Sequence, residues 1–362
     1  MSHIRVPMDF LVQFMRETLK RVGVPEQDAG IVTDVLIRSD LRGIESHGIG
    51  RFKMYLDFIR LGVQKPVTKL EIVRESPGTA LVDGHYGMGH VISHRSMQIA
   101  IDKAEKTGIA AVAVRNSTHF GICGYYPLMA VERDMAGLAF TNARPSIAPT
   151  FGLNPMLGTN PIAFAAPTDE ECPFVLDMAT SIAQRGKIEV LARKGENVPE
   201  GWAIDSDGNI VLDAEALLSR LPAGTASLCP LGGVGEILAG YKGYGLAMMV
   251  EILSAAFSGG PFCWGLSGFD ESGQPVPNRL GHFFIAINIA HFIDPGQFKK
   301  ITGDLVRAMR ESAANERIYT AGEKEFDKEG QVPGLGVPLN ERLCQTLRDI
   351  KREYEIDLPL PF

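Results

Sequence analysis

Four short apolar runs determine the fold class: Ile109–Val114 (IAAVAV), Ala136–Thr141 (AGLAFT), Ile162–Ala166 (IAFAA) and Phe174–Asp177 (FVLD). Each run has the length of a buried strand, and clusters of Gly, Pro, Asn or Thr residues separate it from the next. A fifth run, Phe283–Ile289, has the same character. Few long helices lie between these runs, so the pattern is not a repeating strand–helix–strand unit. The sequence therefore predicts a large, mainly antiparallel sheet.

Helical periodicity dominates the two ends of the chain. In three segments before residue 60, apolar side chains recur every three or four positions, and the same spacing returns after Pro295 and after Asn340. Further helices are predicted at Val91–Lys106 and Tyr244–Phe257. The order along the chain is thus helices, a sheet, and helices again. This order indicates an α/β protein whose helical part is discontinuous in sequence.

The composition is that of a globular protein large enough for two domains. The 362 residues are 45% hydrophobic and 22% charged, and the net charge is −7. An acidic chain has no general attraction to nucleic-acid phosphates or anionic lipid, so neither nucleic acid nor a membrane is a predicted partner. No apolar run reaches the roughly 18 residues of a membrane span, and the first residues lack the apolar core of a signal peptide.

Cysteine and histidine spacing argues against a metal site. The five cysteines are scattered and include no Cys-x-x-Cys pair, which fits neither a zinc site nor a disulfide framework. We therefore expect no metal and a reducing, cytoplasmic environment. His90 and His94 lie four positions apart on a predicted helix, as a metal-binding pair would. No acidic partner stands near them, so we expect an exposed helix face instead.

Two glycine-rich stretches resemble nucleotide-binding motifs without matching them. Gly87–Ser93 (GMGHVIS) has serine where the dinucleotide fingerprint has glycine or alanine, and no convincing strand–helix–strand unit with a ribose-binding acid surrounds it. We expect a helix N-terminus that needs small residues. In Gly235–Gly243, Tyr241 interrupts the pattern, so the Gly-Lys-Ser/Thr signature of a phosphate loop is absent.

The polar stretch Asp40–Arg51 (DLRGIESHGIGR) is a candidate active site. If a helix begins at Ser46 or His47, the His47 imidazole and the Arg51 guanidinium lie one turn apart on one face. The guanidinium would bind a carboxylate and disfavour the cationic form of His47, which would exchange a proton with a neighbouring oxygen. A helix cap followed by two solvated side chains explains the same residues, and the chemistry alone leaves both interpretations open.

Three further segments place polar groups where a ligand could bind. Asn116–Gly121 carries His119 out of a buried strand, where polar side chains commonly line a site. Leu157–Pro161 and Phe174–Ser181 each join a strand edge to small polar residues, which suit contact with pyrophosphate or ribose. Lys242 starts a helix, where its charge opposes the helix dipole unless an anion binds. An ordinary turn, or surface exposure, is the alternative in each case.

Taken in order, these motifs resemble one known family. Glu45–Gly48 with Arg51, Ser117–Gly121, Leu157–Pro161, Asp177–Thr180, Gly186–Ile188 and Gly240–Gly245 are similar to motifs of the malate/L-lactate dehydrogenases that are unrelated to the Rossmann-type enzymes. Relatives in that family include ureidoglycolate and sulfolactate dehydrogenases, 2,3-diketogulonate reductase and the piperideine/pyrroline-2-carboxylate reductases. The resemblance extends over nearly the whole chain.

The resemblance implies a fold and an activity. The fold would be α/β and non-Rossmann, with a mainly antiparallel, seven-stranded, NAD(P)-binding sheet domain at residues 121–304. Residues 1–120 and 305–362 would form a discontinuous helical domain for substrate binding and homodimer formation. The implied activity is hydride transfer between NAD, or alternatively NADP, and C2 of a small 2-hydroxy carboxylic acid. A cyclic imino-acid reductase is one alternative, and a non-catalytic ligand-binding subunit is the alternative of another class.

The same resemblance implies roles for individual residues. His119 and His47 would be catalytic, with His119 favoured as the proton donor and His47 orienting it, and Arg51 and Thr159 would bind the substrate. The implied cofactor contacts are Asp177, Met178, Ala179, Lys242, Gly243 and Glu323. Two stretches depart from the family pattern. Thr141–Arg144 (TNAR) replaces Thr-Asn-Ser and adds Arg144 as a substrate-binding candidate, and Ala321–Glu323 (AGE) replaces Pro-Gly-Glu.

Overall fold

A computed structural model describes residues 4–362 and contains one large sheet and two small ones. The strands are β1 (Ile4–Val6), β2 (Glu71–Glu75), β3 (Thr79–Asp83), β4 (Ile109–Ser117), β5 (Met135–Thr141), β6 (Ile162–Ala166), β7 (Phe174–Met178), β8 (Ala203–Asp205), β9 (Ala226–Leu228), β10 (Leu280–Asn288) and β11 (Val337–Leu339). The large sheet has the order β2-β3-β4-β10-β5-β6-β7, whereas β1 pairs with β11 and β8 pairs with β9.

The large sheet confirms the predicted seven-stranded, mainly antiparallel arrangement. All of its pairings are antiparallel except that of β3 with β4. Its central strand, β10, places Phe284 opposite Val112 of β4 and Ala139 of β5. Because β10 is covered on both faces, it has the continuous apolar run from which the sequence predicted it. That this sheet binds NAD(P) stays a prediction.

Helices cover both faces of the large sheet. They are α1 (Met8–Arg21), α2 (Glu26–Leu41), α3 (Phe52–Arg60), α4 (Gly89–Thr107), α5 (Tyr125–Val131), α6 (Arg185–Lys194), α7 (Ala214–Ala223), α8 (Gly240–Glu251), α9 (Pro295–Arg310), α10 (Glu323–Leu335) and α11 (Glu341–Glu353). Helices α4 and α5 pack on the face that contains Val112 and Phe284. On the opposite face, Val250 of α8 packs against Ala113 and Phe283. Among residues 4–362, no helix has both the length and the apolarity needed to cross a membrane.

Helix α8 starts earlier than predicted, and the last turn of the predicted helix is π-helical. It begins at Gly240, before the predicted start at Tyr244, and it continues into a π-helical turn at Ile252–Ala256. Gly281 of β10 lies so close to this turn that a Cβ there would be 2.0 Å from the Ser254 carbonyl oxygen. The wider turn therefore lies where helix and sheet are closest, and such single π turns are frequent near functional sites.

Helices from the two ends of the chain share a separate core. Phe14 of α1, Leu36 of α2, Phe52 of α3 and Leu347 of α11 belong to one buried cluster. The domain boundaries themselves stay a prediction. Strands β2, β3 and β4 precede residue 120, so the large sheet extends into the range that was assigned to the helical domain. A third, smaller core joins α6, α7, β8 and β9.

A strand–helix–strand unit does surround Gly87–Ser93, whereas the expected absence of a ribose-binding acid from it stays a prediction. Parallel strands β3 and β4 flank α4, and parallel pairing has no local signature in short apolar runs. The first turn of α4 packs against the segment after β4, because the Gly89 N–H donates a hydrogen bond to Thr118 Oγ1 at 2.9 Å. A Cβ on Gly89 would lie 2.2 Å from the Thr118 carbonyl oxygen. The helix start needs a small residue, as predicted.

Candidate active site

The loop that carries His47 is held by a buried carboxyl group. Asp40, near the end of α2, is 4% exposed, and its Oδ2 accepts a hydrogen bond from the Ile49 N–H at 2.7 Å. Gly48 passes so close that a Cβ there would lie 1.9 Å from Asp40 Oδ1. Burial raises the pKa of Asp40 to about 8, so the group is protonated at neutral pH. The loop path depends on this contact.

Helical structure begins at Ile49, where periodicity predicts the third helix, and not at Ser46 or His47. Turns and bends occupy residues 45–48, a 3₁₀ turn spans Ile49–Arg51, and α3 begins at Phe52. The physical reason is that Asp40 caps the Ile49 amide, which places the start of helical structure after His47. Ser46 therefore caps no helix, and His47 lies in the turn before one. This removes the interpretation of Ser46 as a helix cap.

His47 and Arg51 are nevertheless neighbours. Arg51 Nε donates to the Ser46 carbonyl at 2.7 Å, and His47 Nδ1 lies 2.9 Å from Ser46 Oγ. Burial, with a smaller contribution from the positive charge of Arg51, lowers the pKa of His47 to about 4. His47 is therefore neutral at pH 7. This agrees with the prediction that a neighbouring guanidinium disfavours the cationic form of His47.

His119 reaches His47 from the end of β4. The two rings stack with centroids 5.6 Å apart and an angle of 21° between their planes. His119 Nδ1 lies 2.7 Å from Tyr55 Oη and accepts a longer hydrogen bond from the Gly121 N–H at 3.4 Å. A ring nitrogen that accepts from a backbone amide carries no proton, so this geometry places the proton on Nε2. Burial lowers the pKa of His119 well below its usual range, and the charges of nearby histidines and Arg51 add to this.

Asp177 joins the His119 loop to β7. Its Oδ2 accepts a hydrogen bond from the Gly124 N–H at 2.7 Å. Solvent reaches the side chain, yet the surrounding protein atoms raise the pKa of Asp177 to about 6. Met178 and Ala179, which follow it, are both half-buried. Backbone and side chain of Thr180 donate to the Thr159 carbonyl at 2.9 and 3.1 Å, so the Thr159 and Asp177 segments lie together.

The N-terminus of α8 adjoins the same segment. Leu231 N–H donates to the Thr180 carbonyl at 2.8 Å. A Cβ on Gly243 would lie 2.4 Å from Leu231 N, so the first turn of α8 packs directly on this backbone. Lys242 is exposed in that turn. The structure therefore brings Thr159, the Asp177–Thr180 segment, Lys242 and Gly243 into one region.

The start of α6 contacts the His47 loop. A Cβ on Gly186 would lie 3.3 Å from Ser46 Cβ. Together with the Gly124–Asp177 hydrogen bond, this contact connects the histidine pair to the region around Thr159 and Lys242. The predicted catalytic residues and most of the predicted cofactor residues thus lie on segments that contact one another.

Arg144 is engaged outside this site. Its guanidinium lies 5.3 Å from the ring centroid of Phe269, and Nη2 donates to the Pro222 carbonyl at 3.3 Å. Its contacts are therefore with the end of α7 and a surface loop. The structure does not bring Arg144 to the histidine pair, and its predicted substrate contact stays a prediction.

Glu323 is also occupied by protein partners. Its side chain is buried, and its carboxylate accepts from Arg317 Nη2 at 2.7 Å and from the Thr320 N–H at 3.0 Å. These hydrogen bonds outweigh the effect of burial and lower the pKa of Glu323. The group braces the loop whose Ala321 carbonyl accepts from Val175 of β7. A direct cofactor contact of Glu323 stays a prediction.

Three buried polar groups belong to the site and were not predicted. Tyr55 holds His119, but it lies on the apolar face of α3, where periodicity identifies it only as core. Glu251 accepts from Asn160 Nδ2 at 2.8 Å and so fixes the residue after Thr159. His282 bridges Thr141 and Ser117 at 2.7 Å each. A polar residue inside or beside an apolar run, as for Glu251 and His282, is the signal that could have found them.

Within residues 4–362, no group of three or more His, Cys, Asp or Glu side chains is arranged to hold a metal ion. The expectation that His90 and His94 form an exposed helix face is wrong for His90, which is 0% exposed. It is buried because α4 presents this face to α2 and to the His119 loop. His94, one turn later, is half-buried.

Residues 6–348 match the family model of malate/L-lactate dehydrogenase, and the chain belongs to this family, which confirms the resemblance seen in the motifs. The chain is 45% identical to the malate dehydrogenase of Pyrococcus horikoshii over 359 residues, 98% of this chain and 97% of that protein. It is 36% identical to the L-sulfolactate dehydrogenase of Methanothermobacter thermautotrophicus over 360 residues, 99% of each. The crystal structure of malate dehydrogenase from Entamoeba histolytica matches it with a TM-score of 0.96 at 42% identity, over 100% of both chains. Membership of this family identifies the protein as an oxidoreductase.

Proposed function

We propose that this protein transfers a hydride reversibly between a nicotinamide cofactor and C2 of a small 2-oxo or 2-hydroxy acid. The observation that carries the proposal is the stacking of His47 on His119 close to Arg51. It assembles an acid–base group and a carboxylate-binding group from distant parts of the chain. The relatives described above are named for malate and sulfolactate, which share a 2-hydroxycarboxylate group.

Arg51 is the proposed anchor for the substrate carboxylate. Its Nε is bound to the Ser46 carbonyl, which fixes the plane of the guanidinium and leaves the two Nη groups for a ligand. Two parallel N–H donors match the two oxygens of a carboxylate. A substrate held in this way presents its C2 oxygen to the histidines, with Thr159 as a further proposed contact.

His119 is the proposed proton donor in reduction and acceptor in oxidation. Addition of a hydride at C2 leaves negative charge on the C2 oxygen, which a positioned N–H group neutralises. The hydrogen bonds at Nδ1 of His119 leave its proton on Nε2, ready for transfer. Since His47 is neutral and stacked on this ring, we propose that it orients His119.

The region around Thr159, Asp177 and Lys242 fits a dinucleotide cofactor. The N-terminus of α8 and the ammonium group of Lys242 supply positive charge for a pyrophosphate, and Gly243 lets that turn pack against the backbone of Leu231. The carboxyl group of Asp177 and the backbone of Met178 and Ala179 supply hydrogen-bonding groups for a ribose or carboxamide. When bound, the nicotinamide supplies or accepts the hydride. We propose NAD, with NADP as the alternative.

We also propose that the protein is a cytoplasmic homodimer. Helix α8 exposes Met248, Met249 and Ile252, and the preceding loop exposes Ile237, whose relative accessibility is 99%. Exposed apolar side chains of this kind are typical of subunit interfaces. The scattered thiols, none in a Cys-x-x-Cys pair, suit a reducing compartment.

A substrate panel tests the proposed reaction. Oxaloacetate, pyruvate, sulfopyruvate, oxalurate and two cyclic imino acids are each mixed with the enzyme and NADH or NADPH, and the loss of absorbance of the reduced nicotinamide is followed. We expect turnover of at least one 2-oxo acid. Turnover of the imino acids alone would favour the imino-acid reductase. No turnover with either cofactor would remove the proposal and leave a ligand-binding subunit.

A further inference from the structure

A buried carboxyl group lies next to the Thr159 loop, at the end of α8. Glu251 is the last residue of this helix and is 6% exposed. Its Oε2 accepts a hydrogen bond from Asn160 Nδ2 at 2.8 Å. Its Oε1 accepts from the Cys263 N–H at 3.2 Å and from Asn142 Nδ2 at 3.5 Å. All three donors are neutral amide groups, so hydrogen bonds, and not a cation, compensate for the lost hydration of the carboxylate.

These hydrogen bonds require the ionised form of Glu251. Each contact points an N–H at a carboxyl oxygen, whereas a protonated carboxyl group would carry its own hydrogen on one of the two oxygens. Burial raises the pKa of Glu251, and the three hydrogen bonds act in the opposite direction. A buried charge can often be replaced by an apolar side chain of similar volume without loss of stability. Stability alone therefore does not account for this carboxylate.

Asn160, which makes the shortest of these contacts, has a strained backbone. Its φ of 32° lies in the left-handed region, and Pro161 restricts it further. The side chain is 0% exposed and fully used. Its Oδ1 accepts from the Ala143 N–H at 3.2 Å, and Nδ2 donates to the Ala247 carbonyl at 3.0 Å as well as to Glu251. A strained conformation persists only where surrounding contacts impose it, and such residues cluster at ligand sites.

The conformation of Asn160 determines how Thr159 is oriented. The φ angle of Asn160 sets the direction of the peptide group that joins it to Thr159. The Thr159 carbonyl in this peptide group accepts from the backbone and the hydroxyl of Thr180, at 2.9 and 3.1 Å. The Asn160 carbonyl accepts from the same hydroxyl at 3.1 Å. A change at Asn160 would therefore move both Thr159 and the segment that follows Asp177.

From these contacts we infer that Glu251 is a positioning residue of the proposed active site, which holds Asn160 in its left-handed conformation and thereby fixes Thr159 for contact with the substrate. This inference rests on the proposed function, in which Thr159 contacts the 2-oxo acid. Glu251 acts through Asn160 and does not itself contact the substrate. Ala247 and Glu251 both belong to α8, whose first turn carries Lys242. One helix thus sets the distance between the proposed cofactor and substrate contacts.

The first test needs neither substrate nor cofactor. Glu251→Met has a similar volume and removes all three hydrogen bonds, whereas Glu251→Gln removes at least one of them. NMR of threonine methyl groups follows Thr159, whose signal is identified by its loss in Thr159→Val. We expect this signal to move in Glu251→Met and, by a smaller amount, in Glu251→Gln. Asp28→Asn is the control, because it changes a buried carboxylate of α2 that binds Arg95 instead, and it should leave the signal in place.

The second test uses a substrate that the wild type turns over. We expect Glu251→Gln to lower kcat/KM about tenfold, near the lower end of the cost of losing a hydrogen bond to a charged group. In Thr159→Val, which lacks the hydroxyl that contacts the substrate, adding Glu251→Gln should cost much less, because both residues act on one contact. Asp28→Asn should have the same effect with and without Thr159→Val.

The outcomes separate this inference from the proposed function. An unmoved Thr159 signal in folded Glu251→Met would overturn the inference, and if that variant does not fold, an unmoved signal in Glu251→Gln would do so. Equal losses from Glu251→Gln with and without Thr159→Val would show a general structural role and overturn it as well, as would full activity of Thr159→Val. Absence of turnover on every 2-oxo acid removes the proposed function, whereas the NMR result still decides whether Glu251 positions Thr159.

Discussion

At the scale of single residues, the site depends on keeping two adjacent imidazoles neutral. Burial is the main reason that the pKa values of His47 and His119 are lowered, and the positive charge of Arg51 lowers both further. Neutral rings can stack at 5.6 Å without repelling each other. One guanidinium therefore suits two tasks, holding a substrate carboxylate and keeping His47 uncharged.

Arg51→Lys separates charge from geometry at this position. Lysine keeps the positive charge but loses the Nε bond to Ser46 and the paired Nη donors. We expect KM for the 2-oxo acid to rise about 10- to 100-fold, since a hydrogen bond to a charged group is worth about 1.5–3 kcal/mol, with a smaller fall in kcat. Steady-state kinetics measure both constants. Arg60→Lys, on the exposed face of α3, is the control, and an unchanged KM in Arg51→Lys would place the carboxylate elsewhere.

The two histidines should respond differently to substitution by asparagine. His119→Asn removes the proposed proton donor, so we expect kcat to fall by roughly 10²–10⁴-fold. His47→Asn removes the stacked ring that orients His119, so its loss of kcat should be smaller and KM should change more. Cofactor affinity, measured by quenching of protein fluorescence, should stay nearly constant. Near wild-type kcat in both folded variants would refute the catalytic assignment.

At the scale of elements, close backbone contacts place the chemical groups. The end of α2 supplies Asp40, which shapes the His47 loop, and the glycine at the start of α4 lets the His119 loop lie against that helix. At the end of α8, Glu251 holds another loop, because it accepts a hydrogen bond from Asn160, the residue after Thr159. The proposed catalytic side chains lie on loops, and three helix ends determine where those loops run.

Gly48→Ala tests the contact between α2 and the loop. The new Cβ would lie 1.9 Å from Asp40 Oδ1, so the carboxyl group must move and its bond to the Ile49 amide weakens. We expect the free energy of unfolding to fall by about 1–3 kcal/mol and kcat to fall with it. Gly50→Ala is a matched control, because its Cβ has 3.5 Å to the nearest atom. Chemical denaturation gives the difference, and equal stability of the two variants would contradict the role of Asp40.

At the scale of the whole molecule, the sheet brings the site together. The segment after β4 supplies His119 and β7 supplies Asp177, and the Gly124 N–H donates a hydrogen bond to Asp177. The N-terminal helices then place Arg51 and Tyr55 against His119. The candidate site therefore lies where the sheet and the helical core meet.

The exposed face of α8 should mediate the proposed dimer. Ile252 is 50% exposed there and continues the apolar surface of Met248 and Met249. Ile252→Glu places charges at an apolar contact, so we expect light scattering to show a monomer where the wild type shows a dimer. Leu305→Glu, at 58% exposure on the more charged helix α9, is the control and should remain dimeric. A monomeric wild type, or dissociation of the control alone, would refute this assignment.

The sequence by itself predicted the strands, the flanking helices and the family. Runs such as Ile109–Val114 and Phe283–Ile289 became β4 and β10, because hydrophobic burial imposes a pattern that neighbouring residues share. The order of the motifs along the chain was enough to predict the family, since each motif is a short continuous stretch of sequence.

Tertiary structure alone decided how these local pieces meet. The stacking of His47 on His119 depends on a loop that Asp40 holds, just before the helix that periodicity predicts from about Ile49. By spacing, Tyr55 is a core residue and His90 is a surface residue. Only the packed structure shows that Tyr55 is a hydrogen-bond partner of His119 and that His90 is buried. The physical reason is that periodicity reports which face of an element is apolar, whereas a polar contact depends on which distant segment covers that face.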